Sequence, residues 1–260
     1  MVYYVERENC ESGRDCRLLT EKTMNPILKR TLTGLTIGMF VICAALFAPP
    51  VAIMPVVACL ILLAVVEFAL LMRKKKPGIW TWDAFDALAF LFGAGLIAAG
   101  FWYLARIPTM YGDATCGGLR LGNVMLLYVI MIVKFSDVGG FAFGLTSAKL
   151  MNDGNHKLCP SISPGKSWEG LCGSIFASCL VSCCFMGATG FGVLKSLALG
   201  VTAAVVGTAG DLVESKFKRW VGVKDSSAMK ITNGMGGFLD MFDSLIFAPA
   251  VLTVLMGLQF

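Results

Sequence analysis

The chain has 260 residues, 57% of them hydrophobic and 15% charged, and its mean hydropathy is +0.75. An ordinary soluble domain carries roughly one-quarter charged residues, so this balance excludes one and implies a polytopic membrane protein. In such a protein the net charge of +5 reflects topology and contact with anionic headgroups, and gives no sign of a nucleic-acid partner.

Residues 1–27 hold the run Glu6-Arg7-Glu8-Asn9-Cys10 and no apolar core. They read as a polar cytosolic tail with no cleavable signal peptide, and residues 28–260 read as one transmembrane domain. Apolar runs at 33–47 and 51–72, separated by Pro49 and Pro50, read as a helical hairpin; the second is long enough to span about 30 Å of hydrocarbon. Glu67, inside it, is either an interfacial carboxylate reaching water or one that faces a polar cavity. The basic loop Arg73-Lys74-Lys75-Lys76 marks a cytoplasmic face, and Trp80 and Trp82 fit an interfacial belt. Of the ten cysteines, none forms a C-x-x-C pair. Cys43, Cys59, Cys172, Cys179, Cys183 and Cys184 sit in apolar runs as small core residues.

Further spans are expected at 85–104 and 121–135. Lys134, Ser136, Asp137, Gly139 and Gly140 then interrupt an apolar stretch that resumes at 141–145, which points to a broken or closely packed helix lining a cavity. Asp137 is a candidate for that cavity or for a helix cap. His156, the single histidine, reads as an exposed loop residue. Ser163-Pro164 is expected to start the next helix, with Glu169 complementing its dipole. Lys166 is out of place there unless an anion is nearby. Spans at 171–186, 191–209 and 238–258 complete seven, and the region around Asp137 leaves room for one or two more. The fold expected is thus an all-α integral membrane bundle of seven to nine transmembrane helices. Nineteen of the 22 lysines and arginines fall on one side of this topology, so the tail, the Ser163 segment and residues 211–244 are all expected in the cytoplasm.

Residues 211–244 gather Asp211, Glu214, Asp225, Asp240 and Asp243 among Lys216, Lys218, Arg219, Lys224 and Lys230, with Gly234, Gly236 and Gly237 before the last span. Charges beside lipid are costly, which marks the stretch as a site rather than filler. Asp240 and Asp243, three apart on a helix, share a face, as do Asp211 and Glu214. Carboxylates without nearby cysteine or histidine favour a hard cation such as magnesium, which binds together with substrate phosphates. The lysines and arginine would meet those phosphates, and the glycines allow backbone amides close to an anion.

Ser215-Lys216-Phe217-Lys218-Arg219, Lys224-Asp225 and the run from Gly234 through Gly237 to Asp240-Met241-Phe242-Asp243-Ser244 resemble the C-terminal signature of the phosphatidate cytidylyltransferases, or CDP-diacylglycerol synthases. Ser163-Pro164-Gly165-Lys166-Ser167-Trp168-Glu169-Gly170 is similar to another segment of that family, as are Asp137 and its glycines; Leu28-Lys29-Arg30 and Glu67 match more weakly. Two departures stand out: Asn233 and Met235 where the family usually has proline and histidine, and Met241 where it usually has arginine.

The resemblance implies transfer of a cytidylyl group from CTP to phosphatidate in a lipid bilayer, giving CDP-diacylglycerol and pyrophosphate, on the cytoplasmic face of a bacterial inner membrane or its equivalent. It implies magnesium, with room for a second cation, held by Asp225, Asp240 and Asp243, and phosphates met by Lys218, Arg219, Lys224 and Lys166. Ser163, Ser215, Asp137, Gly234, Gly236 and Gly237 complete the expected binding set, and a homodimer is a further expectation. Two alternatives stay open: a CTP-dependent enzyme acting on an isoprenoid lipid phosphate or alcohol, and a catalytically impaired relative that serves as a lipid-binding partner.

Overall fold

The computed structural model describes residues 26–75, 83–151, 154–223 and 237–257. The chain divides into two compact units, residues 1–38 and residues 39–260. In the first unit the described residues, 26–38, are helical. They begin α1 (Pro26–Phe47), whose later turns belong to the second unit.

The second unit is a helical bundle: α2 (Pro50–Lys75), α3 (Ala84–Met110), α4 (Leu121–Leu150), α5 (Trp168–Cys184), the single turn α6 (Met186–Thr189), α7 (Val193–Val221) and α8 (Phe238–Gly257). Two short antiparallel hairpins interrupt it, β1 (Thr115–Cys116) with β2 (Leu119–Arg120) and β3 (Lys157–Cys159) with β4 (Ser163–Ser167). Large apolar side chains such as Phe92, Phe141, Phe176 and Leu194 point outward, as they do when lipid rather than water surrounds the bundle. Among the described residues five helices, α2, α3, α4, α7 and α8, are long and apolar enough to cross a bilayer. Two further apolar stretches among the described residues, Gly38–Phe47 and Trp168–Cys184, are shorter; the sequence expectation was seven to nine spans. The chain is an integral membrane protein with an all-α bundle.

The centre of the bundle is α4: 56% of its most apolar window is buried, against 22% for α3. The sequence led us to expect a span ending near residue 135 and, at the glycines, a broken or closely packed helix. The helix instead runs unbroken to Leu150. Glycine removes a side chain without removing a backbone donor, so Gly139 and Gly140 keep the helical hydrogen bonds and let a neighbour approach. That neighbour is α5: a Cβ on Gly139 would lie 2.5 Å from the Gly173 carbonyl oxygen, and one on Gly173 would lie 2.7 Å from the Gly139 carbonyl oxygen. At the other end of α4, the Asn123 amide donates to the carbonyls of Leu46 at 3.0 Å and Ala48 at 2.9 Å, tying down the α1–α2 turn.

The expected helix start at Ser163-Pro164 is also revised. Ser163–Ser167 is strand β4, paired to β3 with Lys157 opposite Ser167, and α5 begins only at Trp168. Ser167 is its N-cap: the Gly170 amide donates to the Ser167 hydroxyl at 3.1 Å. Ser167→Ala should therefore lower stability by about 1 kcal/mol, read as a fall in the thermal midpoint of the purified protein. The cysteines expected in the core instead face outward at Cys43, Cys59, Cys172 and Cys184, and are half-buried at Cys179 and Cys183. A thiol is apolar enough to face hydrocarbon as readily as protein.

Candidate active site

Four elements converge on one polar cavity of about 360 Å³. From α4 come Lys134, Asp137 and Gly140; from β4, Ser163, Gly165 and Lys166; from α7, Thr208 and Asp211; from α8, Asp240 and Asp243. Ser167 and the first turns of α5, at Gly170 and Ser174, close one wall. Strand β4 carries Lys166 over α7 because the β3–β4 hairpin is pinned at its base. The Trp168 amide donates to the His156 carbonyl at 3.0 Å, and the His156 ring donates to the Glu169 carboxylate at 2.7 Å. His156 itself is exposed, in a loop, as its isolation in the sequence implied.

Three lysines organise the charges. Lys166 is bonded to Asp211, which supplies the anion that its position beside a helix N-terminus demanded. Lys218 Nζ lies 2.6 Å from Asp240 Oδ1 and 3.5 Å from Glu214 Oε1, joining α7 to α8. Lys134 Nζ lies 3.3 Å from Asp137 Oδ2, and the same carboxylate oxygen accepts from the Ser244 hydroxyl at 2.8 Å. Asp211, Lys218 and Glu214 are largely withdrawn from solvent, with side-chain exposures of 14%, 14% and 7%, while Lys134, Asp137 and Lys166 are about one-third exposed.

Helix α8 is aimed by its N-terminus. Gly237 N donates to Asp240 Oδ2 at 3.0 Å, and Leu239 N donates to Glu67 Oε2 at 2.7 Å. Glu67 is thus neither interfacial nor lining the polar cavity. It is fully buried and holds the end of α8 from α2. With these contacts Asp240 and Asp243, three residues apart, turn into the cavity together.

The remaining residues singled out from the sequence fall elsewhere. Ser215 and Arg219 lie on α7 beyond Asp211 and do not line the cavity. Arg219 is exposed in the last turn, where its charge complements the helix C-terminus capped by Gly222. The Gly237 amide is already engaged with Asp240. Lys224, Asp225, Gly234 and Gly236 lie outside the described residues. Conversely Thr208, Lys134 and Asp211 line the cavity although they were not in the expected binding set. Thr208 had a signal, since it is a polar residue three before Asp211 in an apolar run and therefore on the same helical face.

Magnesium would have to be met by the carboxylates. Among the described residues no three acidic, histidine or cysteine side chains converge on one point. Asp211 and Asp243, however, lie against each other, and Asp211 Oδ1 is buried without a hydrogen-bond donor. Two adjacent carboxylates, one with an unsatisfied oxygen and no softer ligand nearby, fit a hard cation whose other positions are filled by water and phosphate.

On the far side of Asp243 lies a second cavity, of about 210 Å³ and almost wholly apolar. It is lined by Phe92, Gly93, Leu96, Val213, Phe217 and Ile246 among others, with Asp243 and Glu214 at its polar edge. Phe92 and Val213 are exposed on the outer surface of the bundle, so this cavity borders the lipid-facing side.

Comparison with known proteins bears on the same region. The cytidylyltransferase family pattern matches residues 81–259. A phosphatidate cytidylyltransferase of Staphylococcus aureus (strain COL) is 43% identical over 133 residues, 50% of this chain and 48% of the relative. Those of Staphylococcus saprophyticus and Staphylococcus epidermidis are 36% and 38% identical over 173 residues, 66% of this chain and 59% of each relative. The aligned part therefore spans about half the length of the first of these relatives.

Proposed function

The chain belongs to the cytidylyltransferase family, and on that premise we propose that it transfers the cytidylyl group of CTP to phosphatidate, with release of pyrophosphate. The observation that carries this reading is the single cavity in which Lys166–Asp211, Asp240 and Asp243 meet, with Asp240 held from outside the lining by Lys218, beside an apolar cavity that shares Asp243. A reaction between two polyanions needs cations to bring them together, and an amphiphilic substrate needs polar and apolar room side by side.

In this reading a phosphate oxygen of phosphatidate attacks the α-phosphorus of CTP as the bond to pyrophosphate breaks. The nucleophile is already anionic, so positioning and charge neutralisation matter more than proton removal. Lys166, carried on β4, approaches the phosphates from one side. Lys218 holds Asp240 in orientation from the other. Asp211 and Asp243 would hold magnesium, which bound there would neutralise charge on the triphosphate. The Ser163 segment forms a rim of the cavity, and the apolar cavity behind Asp243 receives part of an acyl chain. The bias of basic residues supports a cytoplasmic position for this end of the bundle, where CTP is available.

The test is purified protein with labelled CTP, magnesium and a panel of lipid phosphates. Formation of CDP-diacylglycerol from phosphatidate, lost on magnesium removal, is the expected result. Product from a prenyl phosphate but none from phosphatidate would replace the lipid in this reading, and no product from any lipid would leave a binding protein.

A further inference from the structure

The two acids that α8 turns into the cavity stand on a helix that has no lysine or arginine of its own. Its positive partners come from other helices. Lys218 on α7 serves Asp240. The second cation is Lys134, which the proposed chemistry does not otherwise use.

Lys134 Nζ reaches across from α4 and donates to the Met241 carbonyl at 3.0 Å and to the Ser244 hydroxyl at 3.2 Å. Its third partner, Asp137, is one turn along its own helix at 3.3 Å. Ser244, fully buried, accepts from Lys134 and donates to the same Asp137 oxygen, which closes a triangle between α4 and α8. Lys134 and Asp137 both line the polar cavity. Without the ammonium, four carboxylates, those of Asp137, Asp211, Asp240 and Asp243, would face that space with Lys166 as the one lysine lining it among the described residues. A polyphosphate would then meet an uncompensated like charge at close range.

We propose that Lys134 supplies from α4 the positive charge that α8 lacks: a positioning residue that cancels Asp137 and clamps α8 through Met241 and Ser244, so that the cavity admits a polyphosphate. This rests on the cytidylyl-transfer reading. Where the resembled family usually has an arginine this chain has Met241, and here the Lys134 ammonium sits at the Met241 carbonyl itself. Position 241 lies one turn before Ser244 on the same helical stripe, within reach of Asp137 for a long side chain. An arginine placed there should therefore substitute for Lys134.

The test compares wild type, Lys134→Met, Lys134→Arg and the double variant Lys134→Met with Met241→Arg, as full-length protein in lipid nanodiscs. KM for CTP, kcat and the thermal midpoint are measured for each. Lys134→Met should raise KM for CTP by about tenfold or more, well below its thermal midpoint, an effect that mere loosening of the fold would not produce. Lys134→Arg should stay near wild type, and the double variant should recover most of the lost KM. A Lys134→Met variant with unchanged KM overturns the proposal, and so does a folded double variant no better than the single. If the wild type transfers no cytidylyl group, the functional reading fails separately, and the clamp is then judged by the midpoints. A fall in Lys134→Met reversed by Met241→Arg upholds the clamp, and equal midpoints reject it.

Discussion

Asp243→Asn should reduce cytidylyl transfer by on the order of 10³-fold while leaving the bundle folded. Asp243 lines both the polar and the apolar cavity, lies against Asp211, and is one of two α8 acids turned toward Lys166 and Lys134. Like charges at such close quarters call for a proton or a cation between them. In the proposed chemistry that partner is magnesium on the triphosphate, so removing one of the two carboxylates removes much of the stabilisation of the developing charge. Asparagine preserves the shape and its side-chain oxygen can still accept the Ser244 amide that Asp243 Oδ1 accepts at 2.6 Å, which is why folding should survive. Single-turnover transfer with labelled CTP, alongside the thermal midpoint, checks both halves. Activity within tenfold of wild type in a folded Asp243→Asn protein would remove Asp243 from the reaction.

The second large effect is on the scaffold. Gly173→Leu should abolish the folded protein, and Gly173→Ala should lower its stability by about 1–3 kcal/mol. A Cβ at Gly173 would lie 2.4 Å from Phe143 Cβ as well as 2.7 Å from the Gly139 carbonyl. The second of these atoms is backbone, so relief requires α5 to move away from α4. That movement would carry β4 and Lys166 with it, because β4 runs directly into α5 through the Ser167 cap. The alanine variant should therefore lose activity beyond its loss of stability, through a wider gap between Lys166 and the α4 wall at Asp137. Gly187→Ala is the matched control, since a Cβ there meets nothing within 4 Å. Thermal midpoints and kcat/KM for the three variants decide the point, and equal behaviour of the 173 and 187 alanine variants would count against the close approach as a determinant.

Much of this protein could be read along the chain. Hydropathy and length identify membrane helices, because about 20 apolar residues are needed to cross the hydrocarbon and each charge within them is costly. The same cost marked residues 211–244, Asp137 and the Ser163 segment, and the spacing of Asp240 and Asp243 predicted one shared face, the face that lines the cavity. The motif resemblance, carried by Asp137 with its glycines, residues 163–170 and residues 215–244, leads to the family that the comparison establishes over residues 81–259.

What the tertiary structure alone decided is which charge meets which. The anion required by Lys166 is Asp211, 45 residues away, and the partners of Lys134 on α8 are 107 and 110 residues away. No local pattern encodes such pairings, because they depend on how α4, α5, α7 and α8 pack. For the same reason the sequence left the glycines of α4 as either a break or a close contact, and the fold made them a contact. A helix reads its own hydrogen bonds from local sequence, but whether a missing side chain is an interruption or a place for a neighbour depends on whether α5 is there to fill it.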